Sequence, residues 1–125
     1  MGTARVKQRT VGAGINDHRL GEICTNEKWS NGQLIYRMLV DFGALPNNTT
    51  KNVAHGIGTI GQVVDFYGIA TASGPTVRTL PFPPDPAGTV ATGIQLSIST
   101  TNISIKTGSD YSTSTGLIWI FYTKG

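Results

Sequence analysis

The amino-acid sequence predicts an all-β protein, an antiparallel β-sandwich. Three observations carry this expectation. Apolar and polar residues alternate at the two-residue period of a strand, most clearly where Ile94, Leu96 and Ile98 alternate with Gln95, Ser97 and Ser99. No stretch sustains a helical period. Clusters of Gly, Asn, Pro and Ser recur at short spacing between the alternating runs and supply turns. Short strands joined in this way bury their apolar faces sheet on sheet. A jelly-roll variety is compatible with the pattern, and strand order is not readable from it.

The elements follow in chain order. Val6 to Ile15 carries two glycines and little periodicity, which reads as an extended arm. Asp17 to Lys28 fits one helical turn or a short strand. Asn31-Gly32 is a hairpin-type turn, because both residues tolerate positive φ. It leads into a strand over Gln33 to Phe42, in which Tyr36, Met38, Val40 and Phe42 form a wholly apolar face and Ile35, Arg37, Leu39 and Asp41 a mixed one. Leu45-Pro46-Asn47 turns the chain, and Val53, His55 and Ile57 then share one strand face. Gln62 to Thr71 is a further strand, apolar on both sides. Ser73-Gly74-Pro75 turns, Val77 to Phe82 is a short strand, and Pro81, Pro83, Pro84 and Pro86 impose an extended loop, since proline removes a ladder donor. The half-wet strand at Ile94 follows, then the turn at Thr101-Asn102, a strand containing Ile103 and Ile105, and a polar loop from Thr107 to Gly116. Leu117 to Tyr122 closes the chain with apolar residues on both faces. A free edge of that kind aggregates, so a central or subunit-contact position is expected. Tyr67, Ile69, Ile118, Ile120 and Tyr122 are the subunit-interface candidates, and identical neighbours are expected to supply the second wall.

The chain has 125 residues, the length of one domain whose core needs no metal or disulfide. Cys24 is the single cysteine and reads as a small buried hydrophobe. No run approaches the roughly 20 apolar residues of a membrane helix, and residues 1 to 16 lack the apolar core of a signal peptide. A soluble chain without membrane insertion is expected. Charge is uneven. Residues 1 to 20 carry Arg5, Lys7, Arg9 and Arg19 against Asp17, which accounts for the whole net charge of +3, while residues 21 to 125 balance. The expected organisation is a basic docking arm over residues 1 to 20 and a β-sandwich domain over 21 to 125. The arm has no interleaved aromatics, so nucleic acid is not its expected partner.

Candidate chemistry is sparse. Gly56-Ile57-Gly58-Thr59-Ile60-Gly61 matches the dinucleotide fingerprint in letters, but that fingerprint requires a following helix and the next residues read as a strand. The glycines are better read as a bend or bulge. His18 and His55 have no carboxylate at ligand spacing. His55 reads as a hydrogen-bonding partner of the sheet or of a neighbouring subunit, and whether a metal sits on an oligomer axis stays open. No nucleophile elbow supports a Ser-His-Asp triad, and the scattered carboxylates do not suit glycoside hydrolysis. The expectation is a non-enzyme with no cofactor, catalytic residue or metal site. Among the aromatic residues only Tyr111, in the polar loop beside Asp110, reads as placed for ligand contact.

Several pieces in one order carry a family likeness: Trp29 with Gly32, Ile35-Tyr36-Arg37, Phe42-Gly43, Leu45-Pro46-Asn47, Thr50-Lys51 and Val53-Ala54-His55-Gly56-Ile57. Leu80-Pro81, Asn102-Ile103, Thr107-Gly108 with Asp110 and Ser112, and Tyr122-Thr123-Lys124 continue it. From about Trp29 to Lys124 the chain resembles a β-module of tailed-bacteriophage tail-fibre, receptor-binding and related virion structural proteins. The resemblance implies a non-enzymatic, often trimeric β-structure on the tail or capsid surface of a virion, assembled in the host bacterial cytoplasm. Leu45, Pro46, Asn47, His55 and Gly56 are its motif residues. On this reading Arg5, Lys7 and Arg9 dock the arm to other virion proteins, and Asp85, Asp110 and Tyr111 lie in loops that meet a host-surface glycan. A capsid decoration or head-fibre protein without a receptor role, and a stand-alone carbohydrate-binding protein, are the alternatives.

Overall fold

Eight strands form among the residues that the computed structural model describes, which are 19–72, 76–82 and 93–125. They are β1 (Gly21–Lys28), β2 (Leu34–Ala44), β3 (Thr50–Ala54), β4 (Gln62–Thr71), β5 (Val77–Leu80), β6 (Ile94–Ile98), β7 (Asn102–Thr107) and β8 (Thr115–Thr123). The protein is all-β with antiparallel sheets. One sheet has five strands in the order β1-β2-β8-β4-β5, and the other has three in the order β3-β7-β6. Among the described residues there is no helix, and so none long and apolar enough to cross a membrane. Of the open reading at Asp17 to Lys28, Gly21–Lys28 is the strand β1, and Asp17 and His18 lie outside the described residues.

The described residues fall into two compact units. Of the described residues, one holds 19–39, 58–66 and 120–125, and the other holds 40–57, 67–72, 76–82 and 93–119.

In the first unit β1 and β2 form a hairpin. Trp29 N donates to Gln33 O, Gly32 N donates to Trp29 O, and the Asn31 side chain accepts from Gln33 N, so the expected Asn-Gly turn is made. Asn26, at φ 63°, absorbs a register irregularity between Cys24 and Lys28. Ile23 pairs with Arg37 across the hairpin, and Ile23, Thr25, Ile35, Arg37 and Leu39 are buried. The alternation had marked the face carrying Arg37 as the mixed one. Arg37 is nevertheless fully enclosed, with Nη1 donating to Arg19 O at 2.7 Å, while Tyr36, Met38 and Val40 are only half-buried. Burying a guanidinium is costly unless its donors are engaged, and one partner here is a backbone carbonyl remote in sequence.

In the second unit the three-stranded sheet places Leu96 opposite Ile105 and Ile98 opposite Ile103. Ile94, Leu96, Ile103 and Ile105 are buried, while Gln95, Ser97 and Lys106 are exposed, which is the wet-face pattern expected for β6. Phe42, Leu45, Ile57, Ala70, Leu80 and Ile118 are also buried in this unit. Close approach at β4 depends on Gly68, where an added Cβ would lie 2.6 Å from Ile118 Cδ1 and 2.7 Å from Leu117 O. The two apolar-faced strands, β4 and β8, are both interior to the five-stranded sheet, as their composition required.

Candidate functional site

The motif stretch is a fastening between strands. Pro46 has no N–H, but its carbonyl accepts from Thr107 Oγ1 (3.0 Å) and from Tyr111 N (3.2 Å). Asn48, at φ 51°, donates its N–H to Ser109 O and to Thr107 Oγ1, and Leu45 N donates to Ser114 O. Asn47 and Asp110 form an isolated antiparallel bridge. Leu45 to Asn48 therefore pins the 108–114 loop along its length. Thr107 and Ser114, at 2% and 3% exposure, bury the polar groups that make the joint.

β3 ends at Ala54, so His55 and Ile57 lie just beyond the strand predicted to carry them. The His55 ring is buried between two backbone partners: Nδ1 accepts from Ile57 N (3.1 Å), which leaves Nε2–H to donate to Ser99 O (2.9 Å). His55 N also donates to Thr101 O. The imidazole thus ties the β3 exit to the β6–β7 turn, the sheet-bonding role expected of it. Gly56 takes φ 75° to reverse the chain there. Gly61 runs into β4, so the glycine series is followed by a strand. Lys51, also a motif residue, donates to Ala44 O (2.6 Å) and Phe42 O (3.3 Å) and lies over the Phe42 ring.

In the loop so fastened, the Asp110 carboxylate accepts from Ser112 Oγ (2.6 Å) and Ser112 N (2.9 Å). Those bonds hold its pKa below the usual carboxylate range. Tyr111 is half-buried, and the Arg78 guanidinium lies 5.5 Å from its ring centroid and 5.7 Å from that of Phe82. The sequence offered no sign of this group, because Arg78 and Phe82 come from β5 and its exit, far from Tyr111 along the chain. Arg5, Lys7, Arg9, His18 and Asp85 lie outside the described residues.

The interface candidates divide. Tyr67 is 43% exposed and stacks on Trp119 with centroids 5.4 Å apart, and Ile69 is half-buried. Ile118, Ile120 and Tyr122 are each 0% exposed within their own chain, which removes them as subunit-contact side chains. Both faces of β8 are apolar, so alternation alone could not say which one turns inward. Leu117, Trp119 and Phe121 form the half-exposed face.

Tyr122 anchors a further group that was missed. Its hydroxyl donates to Glu22 Oε2, Lys124 Nζ lies 2.9 Å from Glu22 Oε1, and Lys124 sits over the Tyr36 ring. Desolvation tends to raise the Glu22 pKa, but the bonds from Tyr122 and Lys124 outweigh it and the net shift is downward. Desolvation, then the Glu22 bond and charge, push the Tyr122 phenol far upward. Lys124 is raised by its bond to Glu22. Cys24 is half-buried, with Sγ 3.8 Å from Asn26 Oδ1. Among the described residues no three His, Cys, Asp or Glu side chains gather.

No protein-family model matches the chain, and no curated protein does. Among solved structures it is similar to an N-truncated R2-type pyocin tail fibre, at 19% identity and a TM-score of 0.38, over 89% of this chain and 39% of that one. The chain thus spans well under half the length of that fibre.

Proposed function

We propose that this chain is a non-enzymatic structural β-module of a bacteriophage particle, of the tail-fibre or tail-tip type. Its body, 21 to 125, is a β-sandwich assembled as a homotrimer and carried on the virion by the basic arm 1 to 20. The observation that carries the reading is where the motif residues go. Leu45, Pro46, Asn47, His55 and Gly56 fall in the order of the phage module; the backbone of Leu45 to Asn48 holds the Ser/Thr-rich 108–114 loop, while His55 fastens the β6–β7 turn. A rigid mount beneath an exposed loop suits contact with another surface. Tyr67, Ile69, Leu117 and Trp119 form the half-exposed apolar area offered to identical copies, and Asp110 and Tyr111 face the host-surface glycan.

The test is competition. Purified chain added to host cells should block adsorption of particles that carry it, and particles lacking it should fail to adsorb. Particles that lack it and infect normally would transfer support to a capsid decoration or head-fibre role. The basic leader on a charge-balanced body favours that second reading, since such an arm docks electrostatically whatever the loops do. Under either reading, neutralising Arg5, Lys7 and Arg9 together should leave the thermal unfolding of the body unchanged and abolish incorporation into particles. Normal incorporation would refute the docking role. Catalytic sugar turnover by the purified chain would refute both.

A further inference from the structure

We propose that the wet face of the three-stranded sheet is a binding groove for an uncharged oligosaccharide, a reading that rests on the host-surface glycan role above and adds the seat and class of the sugar. The groove, about 670 Å³, is lined by Thr50 of β3, Ser104 and Lys106 of β7, Gln95 and Ser97 of β6, and Pro81 and Phe82 at the β5 exit. The strand register accounts for their meeting. Thr50 and Gln95 both stand opposite Lys106, and Ser97 stands opposite Ser104, so these residues form two ranks across one sheet face. Strand spacing sets neighbours in a rank about 4.8 Å apart, and the rise of two residues sets the ranks about 6.8 Å apart. Phe82 and Ile94 exchange both backbone hydrogen bonds, at 2.9 Å each, which fixes Phe82 beside the start of β6. A second cavity of about 300 Å³ shares Phe82, Gln95 and Lys106 and reaches Gly108, at the foot of the fastened loop.

The chemistry of the lining selects the ligand. Thr50, Gln95, Ser97 and Lys106 are exposed, and their side chains have no hydrogen-bond or ion-pair partner among the described residues. Ser104 Oγ donates to Asn52 Oδ1, which commits its proton and leaves its oxygen to accept. The groove thus offers an amide and hydroxyls that donate or accept, a single ammonium, and no carboxylate in its lining. A polyanion would find one cation there, and an apolar ligand would desolvate the polar ranks without replacing their bonds to water. A peptide strand is recruited by a sheet edge, whereas this groove lies on a sheet face. A chain of sugar rings suits both halves of the site. Its hydroxyls meet the two ranks, and its C–H faces meet Phe82 and Pro81.

The experiment is a saturation-transfer NMR titration of the full chain with cellohexaose, maltohexaose, mannohexaose and inorganic phosphate. At least one hexasaccharide should bind. Gln95→Ala combined with Ser97→Ala should weaken that sugar at least about tenfold, since two hydrogen bonds are lost. Circular dichroism and melting should stay unchanged, because both side chains are exposed. Phe82→Leu, which keeps apolar bulk without the ring, should also weaken binding. No binding by any of the three sugars, or equal binding by the double variant, would overturn the proposal. Phosphate binding without sugar binding, abolished by Lys106→Gln, would reduce the groove to one cation and overturn it too. If the double variant loses the sugar but still blocks particle adsorption as wild type does, the receptor role stands and the groove falls as its seat. If wild type binds the sugar through Gln95 and Ser97 but neither protein blocks adsorption, the groove stands and the receptor role falls.

Discussion

Two single residues carry more of the fold than their neighbours do. His55 satisfies Ile57 N and Ser99 O from inside a site 3% exposed, so truncation strands one donor and one acceptor. His55→Ala should cost about 1–3 kcal/mol for each group left unpaired, read by urea unfolding. A variant as stable as wild type would mean that the ring only fills space. Glu22 sets an acid limb. Its folded pKa lies below the ordinary carboxylate value of about 4.3, so its contribution is present above that pH and is lost as pH falls through the lowered folded value. Melting temperature should therefore fall on acidification below pH ~4.3, and Glu22→Gln should flatten that part of the profile. An identical acid limb in the variant would contradict the assignment. His55 was legible as a hydrogen-bonding partner of the sheet or of a neighbouring subunit, although it lies just past the end of the strand expected to carry it. Arg37 was not, because a charge on an otherwise mixed face reads as the wet side of a strand. The arrival of Arg19 O at one of its donors is a tertiary event that spacing along the strand does not report.

At the scale of elements, legibility followed contrast between faces. β6 and β7 alternate isoleucine or leucine with serine, glutamine and lysine, so the inward side was evident before any fold was known. β8 has two apolar faces, and the choice between Ile118-Ile120-Tyr122 and Leu117-Trp119-Phe121 depends on which neighbours come close. Gly68 helps to decide it. By having no side chain it admits Ile118 and Leu80 to the buried side of β4. Gly68→Ala should destabilise by about 1–3 kcal/mol through overpacking against backbone that cannot yield, whereas Gly58→Ala, with open space at its Cβ, should be nearly neutral. Equal melting temperatures for the two variants would show that β4 and β8 can separate to accept a methyl group. The Arg78–Phe82–Tyr111 group was invisible for a related reason. Sequence spacing reports neighbours along a strand, but not which loop end reaches an edge strand.

For the whole molecule the central claim is that the half-exposed apolar area of Tyr67, Ile69, Leu117 and Trp119 is completed by identical copies. Tyr67 at 43% and Val77 at 56% exposure leave apolar surface that self-association would remove from water at about 25 cal/mol per Å². Replacing Tyr67 and Trp119 together by serine should weaken association without unfolding the body, because neither side chain belongs to the fully buried set. Retained association in the double variant would place the copy contact elsewhere. The most direct measurement is the mass of the purified chain by light scattering across a dilution series. A mass about three times the 13.3 kDa of one chain, persisting on dilution, is the result expected of a trimeric module. A mass of one chain at every concentration would contradict it.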